Sequence, residues 1–154
     1  MNEKRFMNAA LKEAAKAAEK NEVPVGAVIV FNGKILVRAH NLTETKQQVA
    51  AHAETLAIER LSKRIKNFRL DGKTLAKLLN QPEGESTMFV SLKPCEMCMG
   101  AIKAARIDKV IYAADQTRTD LVYKTEFLLS SNEKIKKQAS EQLTNFFKQQ
   151  RKDN

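Results

Sequence analysis

The sequence predicts an α/β fold, a mixed sheet with helices on its faces, and three observations carry that expectation. Helix-period and strand-like segments alternate along the 154 residues. Asn32-Gly33 lies between two apolar runs, a strong signal for a tight hairpin. The stretch CEMCMGAIKAAR (95–106) is rich in small residues, so a helix there can approach a sheet closely.

Each element has its own signal. Residues 3–20 place Phe6, Ala10, Leu11, Ala14 and Ala17 at the core spacing of an amphipathic, alanine-rich helix. PVGAVIV reads as a buried strand, and the Asn-Gly turn leads into a second, KILVRAH. A polar stretch from Asn41 to Gln48 precedes a helix from about Ala51, with Leu56, Ala57, Leu61 and Ile65 as its inward stripe. Residues 71–86 hold an Asp-Gly pair, a short helical run TLAKLLN, and the loop QPEGES with two turn signals. TMFVSL is a third strand ending at Lys93-Pro94, and KVIYAA is a fourth. A last helix, about 132–151, bears Phe146 and Phe147.

Composition narrows the class. A chain of this length is one ordinary domain, 1–154, able to bury a core without staples. Hydrophobic residues are 43% and charged residues 29%, as in soluble globular proteins. The longest apolar run, Val23 to Phe31, contains Pro24 and Gly26 and is too short to span a bilayer. The N-terminus lacks the apolar core of a signal peptide, so a cytoplasmic location and no membrane partner are expected. Cys95 and Cys98 are the two cysteines, which fits a metal or redox role in a reducing compartment.

The net charge of +9 is unevenly placed. Between Arg60 and Lys77, seven cations face one acid, Asp71. Such a patch suits nucleic acid, or is a solvated helix face; both readings stand at this point.

The chemistry concentrates in two short motifs. Pro94-Cys95-Glu96-Met97-Cys98 follows a strand and opens a helix. Cysteines three apart at a helix start share a face, and the helix dipole favours their thiolates, so they are ready zinc ligands. His52, at the start of another helix, can supply an imidazole. Three protein ligands leave the fourth tetrahedral position for water, the catalytic arrangement. Such a site needs a proton carrier that is not a ligand, and Glu54 stands two residues from His52. Two other readings remain: a thioredoxin-type redox pair, which leaves His52 and Glu54 unexplained, and a structural site with His40 as fourth ligand. His40 is twelve residues from His52, unlike the close pair of a compact finger. H-x-E followed by P-C-x-x-C is the signature of zinc nucleobase deaminases.

With these motifs the chain resembles the cytidine and deoxycytidylate deaminase superfamily, and most of all its bacterial tRNA adenosine deaminase branch. The resemblance rests on EVPVGAVIV (22–30), RAHN (38–41), AHAETLAIE (51–59), FRL (68–70), PCEMCMGAI (94–102), RIDKVIY (106–112) and FFKQQR (146–151). It implies a cytidine-deaminase-like three-layer α/β/α fold with a five-stranded mixed sheet. It further implies Zn2+ on His52, Cys95 and Cys98, Glu54 as proton shuttle, and a homodimer that helps form the RNA site. Asn41 falls where the family holds the flipped base, and Ala53 lies beside that pocket with its backbone available to the base edge. The implied reaction is hydrolytic conversion of a tRNA wobble adenosine to inosine. Lys63, Arg64, Lys66, Lys148 and Arg151 are the candidate RNA contacts.

Four departures bear on what is bound. A segment at about 72–86 is inserted between FRL and the third strand, and Lys93 stands where the family has glutamate. The stretch ADQTRTDLVYKT replaces an acidic and glycine-rich one, with Gln116 at an RNA-contacting acidic position, and the region after it is shortened. Two alternatives therefore stay open: a deaminase of a free base or nucleoside (guanine, cytosine or adenosine), and a zinc-stabilised RNA-binding module without turnover. The carboxylate of Glu54 speaks against the second, since a purely structural site has no use for it.

Overall fold

In a computed structural model of the protein, residues 2–115 and 125–154 are described. Helix α1 (Glu3–Glu19) precedes the hairpin β1 (Gly26–Phe31) and β2 (Lys34–His40). A short helix α2 (Thr43–Lys46) and a long one, α3 (Ala53–Ile65), follow, then α4 (Gly72–Leu79) and β3 (Ser86–Leu92). Helix α5 (Glu96–Ala104), β4 (Lys109–Ala114) and α6 (Glu133–Lys152) complete the order. The chain divides into two compact units, one holding everything through β4 and the other holding α6. In α6, the Asn132 side chain caps the first turn by accepting from the Ile135 amide at 3.2 Å.

The sheet runs β2-β1-β3-β4, with β1 antiparallel to both neighbours and β3 parallel to β4. It is mixed, as expected, but has four strands among the described residues rather than five. After Ala114 the described sequence has no alternating stretch to pair with β4; Phe127, Leu128 and Leu129 form an unbroken apolar run outside any ladder. Gln116 lies outside the described residues. The hairpin turns where expected: Asn32 and Gly33 have φ of 46° and 74°, the left-handed pair a tight antiparallel turn needs. Helix α2 was not anticipated, because four residues are too few to show a period.

Strand period sorts the core into layers. Val28, Val30 and Phe89 face α1 and pack on Phe6 and Ala9, with the Phe6 and Phe89 rings 5.3 Å apart. Ala27, Ile29, Val37, Ala39, Met88 and Val90 point the other way, onto Ala53, Leu56, Ala57 and Leu61 of α3 and Ile102 of α5. Because both faces are covered, every residue of β1 is buried. A Cβ on Gly26 would lie 2.1 Å from the Ala10 carbonyl oxygen, so that glycine lets α1 approach, and Ala10, Ala14 and Ala17 are buried on that helix. Edge strand β2 is blunted by α3: Arg60 donates to the Arg38 carbonyl at 3.0 Å and Arg64 to the Leu36 carbonyl at 2.5 Å.

The two ends of the sheet do different work. One end carries Gly26, His40 and Leu92; the other carries Phe31, Lys34 and Ser86. The segment 72–86 packs at the second end, where Leu75 and Ala76 of α4 bury against Phe31. Asp71 caps α4 through the Thr74 amide at 2.9 Å. The Asp108 carboxylate then ties both ends of this segment, accepting from the Gly72 and Ser86 amides at 2.8 Å each. Asp108→Ala strands those two amides, so it should cost roughly 2 kcal/mol in urea unfolding while leaving zinc content unchanged. Unaltered stability would show that the clamp is dispensable.

Candidate metal centre and active site

Two helix starts meet at the Gly26 end of the sheet. His52 is the N-cap of α3, in extended conformation with φ −79° and ψ 157°, so it lies outside the helical turn that holds Glu54. The divergence of about 200° between positions two apart in a regular helix therefore does not apply, and both side chains reach one place. Cys95 is likewise the extended N-cap of α5, with Cys98 in the first turn.

These four side chains converge. His52 Nδ1 lies 3.4 Å from Cys98 Sγ and 3.7 Å from Cys95 Sγ, and the three donor atoms lie within 4.8 Å of one another. A tetrahedral zinc with bonds of about 2.3 Å to sulfur and 2.0–2.1 Å to nitrogen places those atoms about 3.6 Å apart. The donor set of one imidazole and two thiols and its spacing both fit zinc. Glu54 Oε2 accepts a hydrogen bond from Cys98 Sγ at 3.5 Å and is not part of the three-atom group.

Burial sets the electrostatics. Cys98 is fully buried; burial first, then Glu54 and Cys95, push its thiol far above the ordinary range. The expected thiolate-favouring effect of the helix start is outweighed, and a cation at the shared point supplies the missing compensation. Glu54 is 3% exposed, and burial raises its carboxyl above the usual range against smaller opposing contributions from a backbone hydrogen bond, His52 and Cys98. A carboxyl raised in this way is poised to carry a proton.

Asn41 and Ala53 meet, but differently from expectation. The Ala53 amide donates to Asn41 Oδ1 at 2.8 Å, so it is already engaged, while the Asn41 side-chain nitrogen has no hydrogen-bond partner among the described residues. Behind Asn41, the loop is fastened by Glu22, whose carboxylate accepts from the Glu44 amide at 2.6 Å. His40 is no ligand: its Nδ1 lies 2.9 Å from buried Glu13 and its Nε2 lies 3.1 Å from Lys20 Nζ. Lysine only donates, so Nε2 accepts and the ring proton sits on Nδ1, facing Glu13. Neither Glu13 nor Glu22 was singled out in the sequence, where a helix-surface glutamate and a loop glutamate look solvated.

Within the first unit, the candidate RNA contacts Lys63, Arg64 and Lys66 do not gather at this site. Lys63 pairs with Glu59 at 2.6 Å and stands eleven residues beyond His52, about 16 Å along the helix axis. Arg64 is engaged at the β2 edge, and Lys66 closes α3 in a left-handed conformation. Lys148 and Arg151 belong to α6 in the other unit. Lys93, the unexpected cation before Pro94, pairs with Asp115 at 3.5 Å.

Metal binding here must displace protons, because a thiol raised by burial is protonated at neutral pH and the bound form is thiolate. Calorimetric zinc titrations in buffers of different ionisation enthalpy should thus show proton release and an affinity that weakens as pH falls. Heats independent of the buffer would contradict this. Glu13 is a second titration handle. Burial pulls its carboxyl upward, but Lys16 and His40 together outweigh that and hold it below the ordinary range. The unfolded chain then binds the proton more readily, so this stability is complete at neutral pH and lost as pH falls through the ordinary carboxylate range and below it. Glu13→Gln should be less stable than wild type at pH 7, and acid unfolding should find the gap narrowing; a constant gap would remove Glu13 from the acid response.

Comparison with known proteins bears directly on this geometry. The pattern of the cytidine and deoxycytidylate deaminase zinc-binding region matches residues 1–114. A tRNA-specific adenosine deaminase of Bacillus subtilis is 46% identical over 109 residues, covering 71% of this chain and 60% of its own. Another, from Aquifex aeolicus, is 36% identical over 160 positions, 98% of this chain and 97% of its own. The chain spans only 7% of a chloroplastic tRNA(adenine(34)) deaminase of Arabidopsis thaliana, at 42% identity. Among solved structures, one from studies of A-to-I editing by tRNA:A34 deaminases superposes with a TM-score of 0.65 and 35% identity, covering 75% of this chain and 79% of that one. Guanine deaminase of Bacillus subtilis superposes with a TM-score of 0.68 and 25% identity, covering 92% and 95%. The zinc-binding donor set at two helix starts and the sequence pattern around it agree: the chain belongs to the cytidine and deoxycytidylate deaminase zinc-binding family.

Proposed function

We propose that the protein is a zinc-dependent hydrolytic deaminase that converts adenosine at the tRNA wobble position to inosine. The observation that carries the chemistry is Glu54, a buried carboxyl with a raised pKa, next to an imidazole and two thiols spaced for zinc but outside that donor group. What supports the tRNA substrate is the alignment with the Aquifex aeolicus tRNA-specific adenosine deaminase along nearly the whole chain. The reading also takes 1–154 as one deaminase domain, working as a homodimer in the cytoplasm.

His52, Cys95 and Cys98 would hold the metal, and zinc there would supply the Lewis acidity that makes water a nucleophile near neutral pH. Glu54 takes the proton from the attacking water as its oxygen bonds to C6 of the adenine. Glu54 then returns a proton to the ring nitrogen. Glu54 next takes the remaining proton from the new C6 hydroxyl and delivers it to the amino group; the C6–N bond breaks, ammonia leaves, and the C6 carbonyl of inosine remains. The Asn41 side-chain nitrogen is a donor for an acceptor on the base. The buried setting of Glu54 keeps bulk water from diverting its proton.

A second reading, deamination of free guanine, is favoured by the superposition on guanine deaminase over nearly the whole chain. Incubating the zinc-loaded protein with a tRNA carrying adenosine at the first anticodon position, beside guanine, cytosine and adenosine, separates them. Mass spectrometry should find inosine in the tRNA and the small molecules unchanged; conversion of guanine alone would replace the tRNA reading. Glu54→Gln should keep zinc and fold yet lose at least about 10²–10⁴-fold in turnover. Turnover at the wild-type rate would take Glu54 out of the mechanism.

A further inference from the structure

Helix α1 and strand β2 enclose a groove of about 510 Å³ whose lining includes Lys4, Arg5, Asn8, Lys12 and Arg38, with Ile35 as an apolar patch. No acid lines it. None of these four cations has an ion-pair partner among the described residues. Elsewhere in the same unit the basic side chains are more often engaged: Lys63 pairs with Glu59, Lys109 with Glu85 and Lys16 with Glu13, and Arg60 and Arg64 hold carbonyls of β2. The groove thus concentrates four uncompensated positive charges.

Their order along the helix is regular. Lys4, Asn8 and Lys12 recur every four residues and stay within about 80° of one another on α1; continued to Lys16 and to the C-cap Lys20, the row winds about 160° around the helix. From Lys4 to Lys20 the row is about 24 Å long at 1.5 Å per residue. It ends at the catalytic end of the sheet, where Lys16 and Lys20 reach Glu13 and His40. Arg38 lies across the groove on β2, opposite Val28 and on the same side of the sheet as His40, which pairs with Gly26. Asn41 is three positions after Arg38, about 10 Å of extended chain. The groove therefore leads toward the residue placed against the base.

Resting on the tRNA reading, we infer that this groove is a backbone track for the substrate RNA, with Lys4, Lys12 and Arg38 on successive phosphates and Asn8 on phosphate or sugar oxygens. A single small anion does not need a row of this length. A polyanion of regular charge spacing does, and an arginine fork beside lysine point charges is suited to phosphate oxygens. The α3 cluster at Lys63, Arg64 and Lys66 is then a secondary surface, because two of its three cations are already engaged.

The test is binding of the zinc-loaded protein to a tRNA transcript with adenosine at the first anticodon position, across a range of KCl concentrations. Each lost phosphate contact lowers the log–log slope by about 0.7 for single strands and 0.9 for duplex. The combined variant Lys4→Gln, Lys12→Gln, Arg38→Gln should flatten the slope by about 2 to 3 units. A variant with the same charge loss elsewhere, Lys73→Gln, Lys77→Gln, Lys103→Gln, should flatten it far less. Thermal unfolding and zinc content of both variants confirm that the fold is retained. If wild type binds the transcript and both variants share its slope, or lose it equally, the track is wrong and the tRNA reading stands. If wild type neither binds nor converts the transcript, the tRNA reading fails and takes the track with it. Loss of binding to anionic phospholipid vesicles, with an unchanged RNA slope, would overturn the inference and reassign the groove to a membrane surface.

Discussion

The structure depends on one constraint: the N-termini of α3 and α5 must open side by side at the same end of the sheet. His52 and Cys95 are the N-caps of those helices, so neither helix can move without moving a donor atom. The helices pack on one face of the sheet through Leu56, Ala57, Leu61 and Ile102, in the largest core cluster. That core sets the 3.4 and 3.7 Å separations between His52 and the two thiols as much as local geometry does. Each helix start also presents unpaired amides and the positive end of its dipole. Two such ends together favour the negative charge that thiolates and a deprotonated water bring.

Antiparallel pairing in the centre of the sheet then separates chemistry from variation. β1 joins the Gly26 end to the Phe31 end, and its neighbours follow in register. The loops after β2 and β3, which lead to His52 and Cys95, leave from the first end. The 72–86 segment and its Asp108 clamp occupy the second. A change of length there does not reach the zinc donors.

How much of this was legible in the sequence follows from what has a period or a spacing. β1 to β4 announced themselves by apolar runs and the Asn32-Gly33 turn, and the donor set by two compact motifs. The clamps had no such signal. Glu13, Glu22 and Asp108 are single carboxylates whose partners lie 22 to 36 residues away. Nothing in a local pattern distinguishes them from solvated acids. The basic run at Arg60–Lys77 divides in the structure. Its arginines at 60 and 64 cover a strand edge and Lys63 pairs with Glu59, while Lys66, Lys73 and Lys77 have no ion-pair partner among the described residues, as is true of the groove cations on α1 and β2.

In the proposed reaction, charge balance at the zinc donors decides which residue can carry the proton. Two thiolates cancel a divalent cation, so once Cys95 and Cys98 are bound neither has a proton to give. His52 offers its Nδ1 to the same point and is committed through that atom. Glu54 is the group left over, and the desolvation that raises its carboxyl makes its charged form costly in the same buried place. Holding a proton relieves that cost, and releasing it restores the cost, so burial moves Glu54 toward its protonated form. A carboxylate on the surface would stay ionised and a fully unassisted buried one would stay neutral. Placement in the first turn of α3, between an imidazole and a thiol, puts Glu54 between those extremes, and the spacing of one residue between His52 and Glu54 is what places it there.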